Sequence, residues 1–195
     1  MEIARPFNVN VYGVTESVVA SGYPMQVRVD KFDADVDTTY SGVERMKKLG
    51  HTDIGTGHDN ALLGIVVQFD VCFPVKVWTE FQRYHFADIV SSQSTMHRLA
   101  KMDLSVAFDP SVDDRVIAIV QELQDAYNEH PTKENYLRLL MTCPTGLLLT
   151  ARITTNYRQL KTIYAQRRNH RIPHWHVFCD WVETLPYAKE FGVVQ

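Results

Sequence analysis

The sequence predicts an α+β fold, with a central, mostly antiparallel sheet flanked by helices. Three observations carry this. Two runs rich in β-branched and aromatic residues, "LLGIVVQFDVCF" and "TGLLLTARITTN", read as strands. The first 35 residues alternate polar and apolar, in "NVNVYG" and again in "YPMQVRV" after "SGYP", and read as strands and turns. Several later segments repeat apolar residues at helical spacing behind capping residues.

In chain order, "TYSGVERMKKLG" is a short helix with Lys47 and Lys48 in its last turn and Gly50 as its C-terminal stop. The glycine-rich "HTDIGTGHDNA" is a loop or a helix start, and the first long strand follows it. Pro74 opens a helix over "PVKVWTEFQRYHF", where Val77, Phe81 and Tyr84 recur on one face, so Arg83 and His85 fall near its C-terminal end. "ADIVSSQST" has no regular pattern. "SVDDRVIAIVQELQDAYNEH" is a helix capped by Ser111, with a stripe of Val116, Val120, Leu123 and Tyr127. Thr132 caps "TKENYLRLLM". The second long strand leads into a helix over "YRQLKTIYAQRR", and a last helix runs through "HWHVFCDWVETL". No repeat and no linker divides residues 1–195, so a single domain is expected.

Composition excludes several functions. With 45% hydrophobic and 22% charged residues and a net charge of -3, the chain does not attract polymeric nucleic acid as a whole. No apolar run approaches the roughly 18 residues that span a bilayer. "MEIARPFNVNVYG" lacks the features of a signal peptide, and Cys72, Cys143 and Cys179 form no CxxC pair. Free thiols and a cytoplasmic location are expected. No Walker or Rossmann glycine loop is present, and no cysteine has a basic neighbourhood that would activate its thiolate.

Four polar clusters are candidates for chemistry. "RYHFADIVSSQSTMHRL" holds Arg83, His85, Ser92, Gln93, Ser94, Thr95, His97 and Arg98. Serine and threonine runs also serve loops and caps, but such a role does not ask for the surrounding arginines and histidines. "GHDNALLG" brings His58 and Asn60. "ENYLRLL" brings Arg138. "NYRQLKTIYAQRRNHR" brings Asn156, Arg158, Arg167, Arg168, His170 and Arg171. Arg158 and Arg167 are about 2.5 turns apart and leave a helix on roughly opposite faces. Arginine forks suit phosphate, although a solvated basic helix face would also carry such residues. His170, His174 and His176 lie close in sequence, yet no HExxH pattern is present and no cysteine joins them, so no metal is expected.

Taken in order, these clusters resemble the flavin-dependent thymidylate synthases. That family carries an Arg-His-Arg triplet followed by a serine within Asn-Glu-x-Ser-x-Arg-Tyr. Here Arg83, Tyr84 and His85 are followed by Ser94 after eight intervening residues. The family's upstream histidine motif before a strand resembles "HDNALLG" from His58. Its Asn-x-Arg-x-Leu, with a later arginine, resembles Asn156, Arg158, Leu160 and Arg167, and its Ala-Gln-Trp resembles Pro173 to Trp175. The resemblance runs from about His51 to Trp175.

It implies a thymidylate synthase-complementing-protein-like fold and a homotetramer binding FAD between subunits. It also implies C5 methylation of dUMP, with methylenetetrahydrofolate as carbon donor and NADPH as reductant. By matched position, His58, Arg83, Tyr84, His85, Asn156 and Arg158 would hold FAD. Ser92, Gln93, Ser94, Thr95, His97, Arg98, Arg138 and Arg167 would hold the nucleotide, with Arg167 and Gln93 as catalytic residues. The triplet departs from the family at Tyr84 and His85. The Asn-Glu pair reads Ser92-Gln93, and the upstream Glu-His reads Leu63-Gly64.

Overall fold

The computed structural model describes residues 2–29 and 40–194. It is α+β, a four-stranded antiparallel sheet with eight α-helices among the described residues. The strands are β1 (Phe7–Tyr12), β2 (Val66–Pro74), β3 (Asp88–Ser92) and β4 (Leu148–Asn156), in the order β1-β2-β4-β3. The helices are α1 (Val14–Ala20), α2 (Tyr40–Gly50), α3 (Val75–Phe81), α4 (Thr95–Arg98), α5 (Asp114–Glu129), α6 (Lys133–Thr142), α7 (Tyr157–Arg167) and α8 (His174–Val182).

The two expected strands form the centre. β2 and β4 pair continuously from Val66–Asn156 to Pro74–Leu148. Along β2, Val67, Phe69 and Val71 are fully buried while Val66, Gln68 and Asp70 are half-buried, the period-2 signature of a sheet with one covered face. The covered face packs on aromatic side chains. Phe73, Phe81, Trp175 and Phe178 form a contiguous group, with Phe81 and Trp175 stacked at 6.2 Å between ring centroids. A second apolar cluster under α5 and α6 joins Leu99, Leu104, Val120, Leu139 and Leu147. No helix among the described residues is long and apolar enough to cross a membrane.

Several local expectations are corrected. "YPMQVRV" is a single 3-10 turn at Tyr23–Met25 followed by irregular chain, and "VTESVVA" before it is helical. The expected start of the second helix at Thr39 lies outside the described residues. Gly50 is the last residue of α2, but not a left-handed stop. Glycine is needed there because a Cβ would stand 2.1 Å from the carbonyl oxygen of Phe191. The helix from Pro74 stops at Phe81, with Pro74 as its N-cap, so residues 82–87 form a turn. "ADIVSSQST" contains β3, an edge strand exposed along its whole length. Asp113, not Ser111, caps α5, accepting from the Arg115 N–H; Ser111 instead donates to Asp109. Thr132 does cap α6, accepting from the Asn135 N–H.

Candidate active site

Ending α3 at Phe81 decides where the polar stretch goes. The turn after it lays Arg83, Tyr84 and His85 beside the outer half of α7. With Gln159, Thr162, Gln166 and Arg167 they line a cavity of about 510 Å³, a volume in the range of small-molecule sites. Asn156 and Arg158 line a smaller neighbour of about 170 Å³ with Leu63 and Phe86, and Gln159 and Thr162 belong to both. Arg158 and Arg167, nine residues apart on one helix, thus serve two adjoining hollows.

The other nominated residues lie elsewhere. Gln93 and Arg98 line a separate cavity of about 580 Å³ with Lys101, Cys72 and Phe108. Ser92 borders a smaller hollow of about 200 Å³ beside Gln82 and Ile89. Ser94 precedes α4 without a side-chain capping bond, Thr95 opens that helix, and His97 is exposed in its last turn. Arg138 is exposed on α6, whose Tyr136 hydroxyl donates to the Met96 carbonyl at 3.2 Å and ties α6 to α4. His58 is exposed; the residue beside it, Asp59, is the buried one.

Ion pairing sorts the cations. Arg83, His85, Arg98 and Arg138 make no ion pair among the described residues, so the three guanidinium charges are open to an anion and the His85 ring to a hydrogen-bonding partner. Arg158 donates Nε to Asp59 Oδ1 at 3.0 Å. Asp59 also holds Lys161, whose Nζ donates to the carboxylate and to the carbonyls of Gly50 and Thr52. Asn156 caps α7, its Oδ1 accepting from the Gln159 N–H at 2.9 Å. Gln93 Oε1 accepts from the Thr150 N–H at 2.8 Å, which leaves the amide nitrogen as its free end.

Arg167 is the most constrained cation. Its Nη1 donates to Glu80 Oε2 at 3.0 Å, its Nε donates to the Tyr84 hydroxyl at 2.7 Å, and its guanidinium carbon lies 4.6 Å from the Trp175 ring centroid. The Tyr84 hydroxyl in turn donates to Gln166 Oε1 at 3.1 Å. Glu80 also accepts from Trp175 Nε1 at 3.0 Å and lies 3.3 Å from Lys76 Nζ and 3.5 Å from His170 Nε2. Burial alone would raise the Glu80 carboxyl, but the Trp175 and Lys76 donors and the Arg167 and His170 charges outweigh it and hold it below the usual carboxylate range. Burial pushes the Tyr84 phenol up, against the pull of Arg167.

The sequence did not point to Glu80, Asp59 or Lys161. Glu80 had one visible signal, its position one helical turn after Lys76. Asp59 lies inside "GHDNA", between His58 and Asn60.

No family model and no curated protein matches the chain. Its fold is that of the flavin-dependent thymidylate synthases. One such enzyme from Helicobacter pylori, in complex with FAD and dUMP, superposes with a TM-score of 0.75 at 15% identity, over 96% of this chain and 98% of that one. A second structure of a Helicobacter pylori thymidylate synthase X with FAD and dUMP gives 0.74 at 15% identity, over 96% and 97% of the two chains. The likeness extends end to end and concerns the fold.

The remaining chemistry of the described residues is quiet. Burial pushes the thiols of Cys72, Cys143 and Cys179 up, Cys143 to about 11 and Cys179 to about 12. No group of three His, Cys, Asp or Glu side chains among the described residues could hold a metal ion. His174 Nε2 sits 2.6 Å from Asp109 Oδ2, and His176 Nε2 lies 2.7 Å from the His170 carbonyl oxygen, so the neighbouring histidines diverge.

Proposed function

We propose that this chain is a single-domain, flavin-dependent thymidylate synthase-like enzyme. It methylates C5 of dUMP, or of a related pyrimidine nucleotide, using FAD, methylenetetrahydrofolate and NADPH. The observation that carries this reading is the coincidence of two things. The fold follows, over 96% of the chain, enzymes solved with FAD and dUMP. The residues that match the family's triplet, Arg83 to His85, line a roomy cavity with Arg167.

The donor set fits a flavin dinucleotide. A diphosphate needs a cationic fork free of internal partners, which Arg83 supplies, and His85, Gln159, Thr162 and Gln166 add hydrogen-bonding groups to the same wall. Bound there, FAD would supply the redox chemistry that carbon transfer requires. The protein positions and polarises: Arg83 neutralises phosphate with the His85 ring beside it, and Asn156 and Arg158 extend that wall into the smaller hollow. His58 lies on the exposed loop beside it. Gln93 and Arg167 line separate cavities of one chain, so they would meet at the reacting ring across a subunit boundary of the implied tetramer. Ser92, Ser94, Thr95, His97, Arg98 and Arg138 provide donors for the nucleotide. No protein nucleophile is required, in keeping with three thiols raised by burial.

Four copies would assemble, as the resemblance implies, in the cytoplasm expected from the unpaired cysteines. Support for a partner surface comes from the edge strand β3, which exposes Ile89 and Val90 and leads from an exposed Phe86. The test is turnover. Purified protein supplied with FAD, dUMP, methylenetetrahydrofolate and NADPH should form dTMP, measured by chromatography. No C5-modified product under these conditions removes the thymidylate assignment.

A second reading is a homologue that binds flavin or nucleotide without methyl transfer. It is favoured by Arg167, which is only 12% exposed and already engaged by Glu80 and Tyr84. Calorimetry separates the two: binding of FAD or dUMP without turnover supports this second reading, and binding of neither ends both.

A further inference from the structure

We infer that Glu80 and Tyr84 are positioning residues that clamp Arg167 so that the Nη2 end of its guanidinium is presented to the large cavity. The inference rests on the proposed role of Arg167 as a dUMP contact at the edge of the cavity whose Arg83 wall is assigned to FAD, and on geometry alone for the clamp. Three fixtures act on the same planar group. Glu80 takes Nη1, the Tyr84 hydroxyl takes Nε, and the Trp175 ring lies against the face. Nε and Nη1 lie on either side of Nη2, so each of the two donor edges of the fork has one donor spent inside the protein and Nη2 is the end left over. Nη2 has no partner among the described residues.

Each fixture is itself held. Glu80 is fixed by the indole N–H of Trp175, and that ring is wholly buried in the aromatic core. Tyr84 stands edge-on to Phe81 and to Trp175, and its hydroxyl is also fixed by Gln166. The clamp is therefore built on the core and not on a loose surface chain. It also gives a physical role to the residue that departs from the family's triplet. Tyr84 supplies a neutral oxygen that accepts from an arginine Nε, and its buried ring keeps that oxygen in place.

The clamp has a directional consequence. Glu80 is anionic, and by charge alone it would repel an anionic ligand. Its orienting effect on Arg167 acts the other way. Removing the Glu80 charge while keeping its shape separates the two, because pure electrostatics predicts tighter binding and positioning predicts weaker binding.

The test is a mutant cycle on the full chain, read by calorimetric titration with dUMP after thermal melts establish that each variant is folded. Glu80→Gln and Tyr84→Phe should each weaken dUMP binding about tenfold. Adding Glu80→Gln to Arg167→Lys should weaken it no further, since Glu80 acts only through that guanidinium. Unchanged or tighter binding by Glu80→Gln overturns the inference, in the second case by making Glu80 a competing anion. Tyr84→Phe removes one hydroxyl and serves where Glu80→Gln fails to fold.

Side-chain NMR gives a readout that needs no ligand. The Arg167 Nε–H resonance, identified by its loss in Arg167→Lys, should be sharp and slow to exchange in the free protein and should broaden or vanish in Tyr84→Phe. A slow resonance in a protein that fails to bind dUMP removes the nucleotide reading and leaves the clamp standing. Rapid exchange in the wild type removes the clamp, whatever the cavity binds.

Discussion

Asp59 Oδ2 lies 3.1 Å from Lys161 Nζ, and both side chains are shut away from solvent, at 0% and 1% exposure. The same carboxylate holds Arg158 through its other oxygen. One buried acid thus anchors the loop before β2 to helix α7, which carries the wall shared by the two adjoining hollows. Breaking such a pair from one side strands a charge in a medium that cannot solvate it. Asp59→Ala should therefore destabilise the fold by about 3–5 kcal/mol, seen as a fall in denaturation midpoint. A loss below about 1 kcal/mol, the scale of a surface pair, would contradict the burial.

Acid should act through Glu80. Its folded carboxyl is held below the ordinary value of about 4.3, so the charged form favours the native state. The sign follows: this stabilisation is present above the unfolded carboxyl's range and disappears as pH falls through the lower folded value. Asp109 behaves likewise, since burial would raise it but Ser111 and His174 hold it down. Thermal melts below about pH 4.5 should show a falling midpoint in the wild type and a flatter acid limb in Glu80→Gln.

The unpaired cations should separate by ligand. Arg83→Ala is expected to weaken FAD binding by about 10- to 100-fold, the worth of about 1.4–2.7 kcal/mol of charge-assisted hydrogen bonding. Its effect on stability should be small because the side chain is exposed and unpaired. Arg138→Ala should leave FAD binding unchanged and weaken dUMP binding. Equal loss of both ligands in either variant would show that the two sets of cations do not divide in this way.

The thiols should be inert. With Cys143 near 11 and Cys179 near 12, almost no thiolate exists at neutral pH. Alkylation at pH 7 should run at least about tenfold slower in the native protein than in urea. Rapid native labelling would contradict the burial.

How much of this was legible in the sequence depended on what each segment faces. β2 and β4 were visible because one face is buried and their β-branched residues recur against it. β3 was not, since an edge strand exposed on both faces has no alternation to betray it. The first helix was hidden in "VTESVVA", where valines and a glutamate resemble strand as much as helix. In the candidate site, Arg83, His85 and Arg167 were legible because clustered cations are conspicuous in a chain of net negative charge. Glu80 and Asp59 were not, because a single acid on a helix or in a polar loop looks like ordinary surface until the tertiary structure brings a cation to it.

The most direct test of the central claim is a visible absorption spectrum of the purified full chain, taken before and after incubation with FAD and desalting. A flavin spectrum that survives desalting in the wild type, and is lost in Arg83→Ala, is the predicted result. A colourless protein in both would contradict the flavin site and leave only the fold in common with the thymidylate synthases.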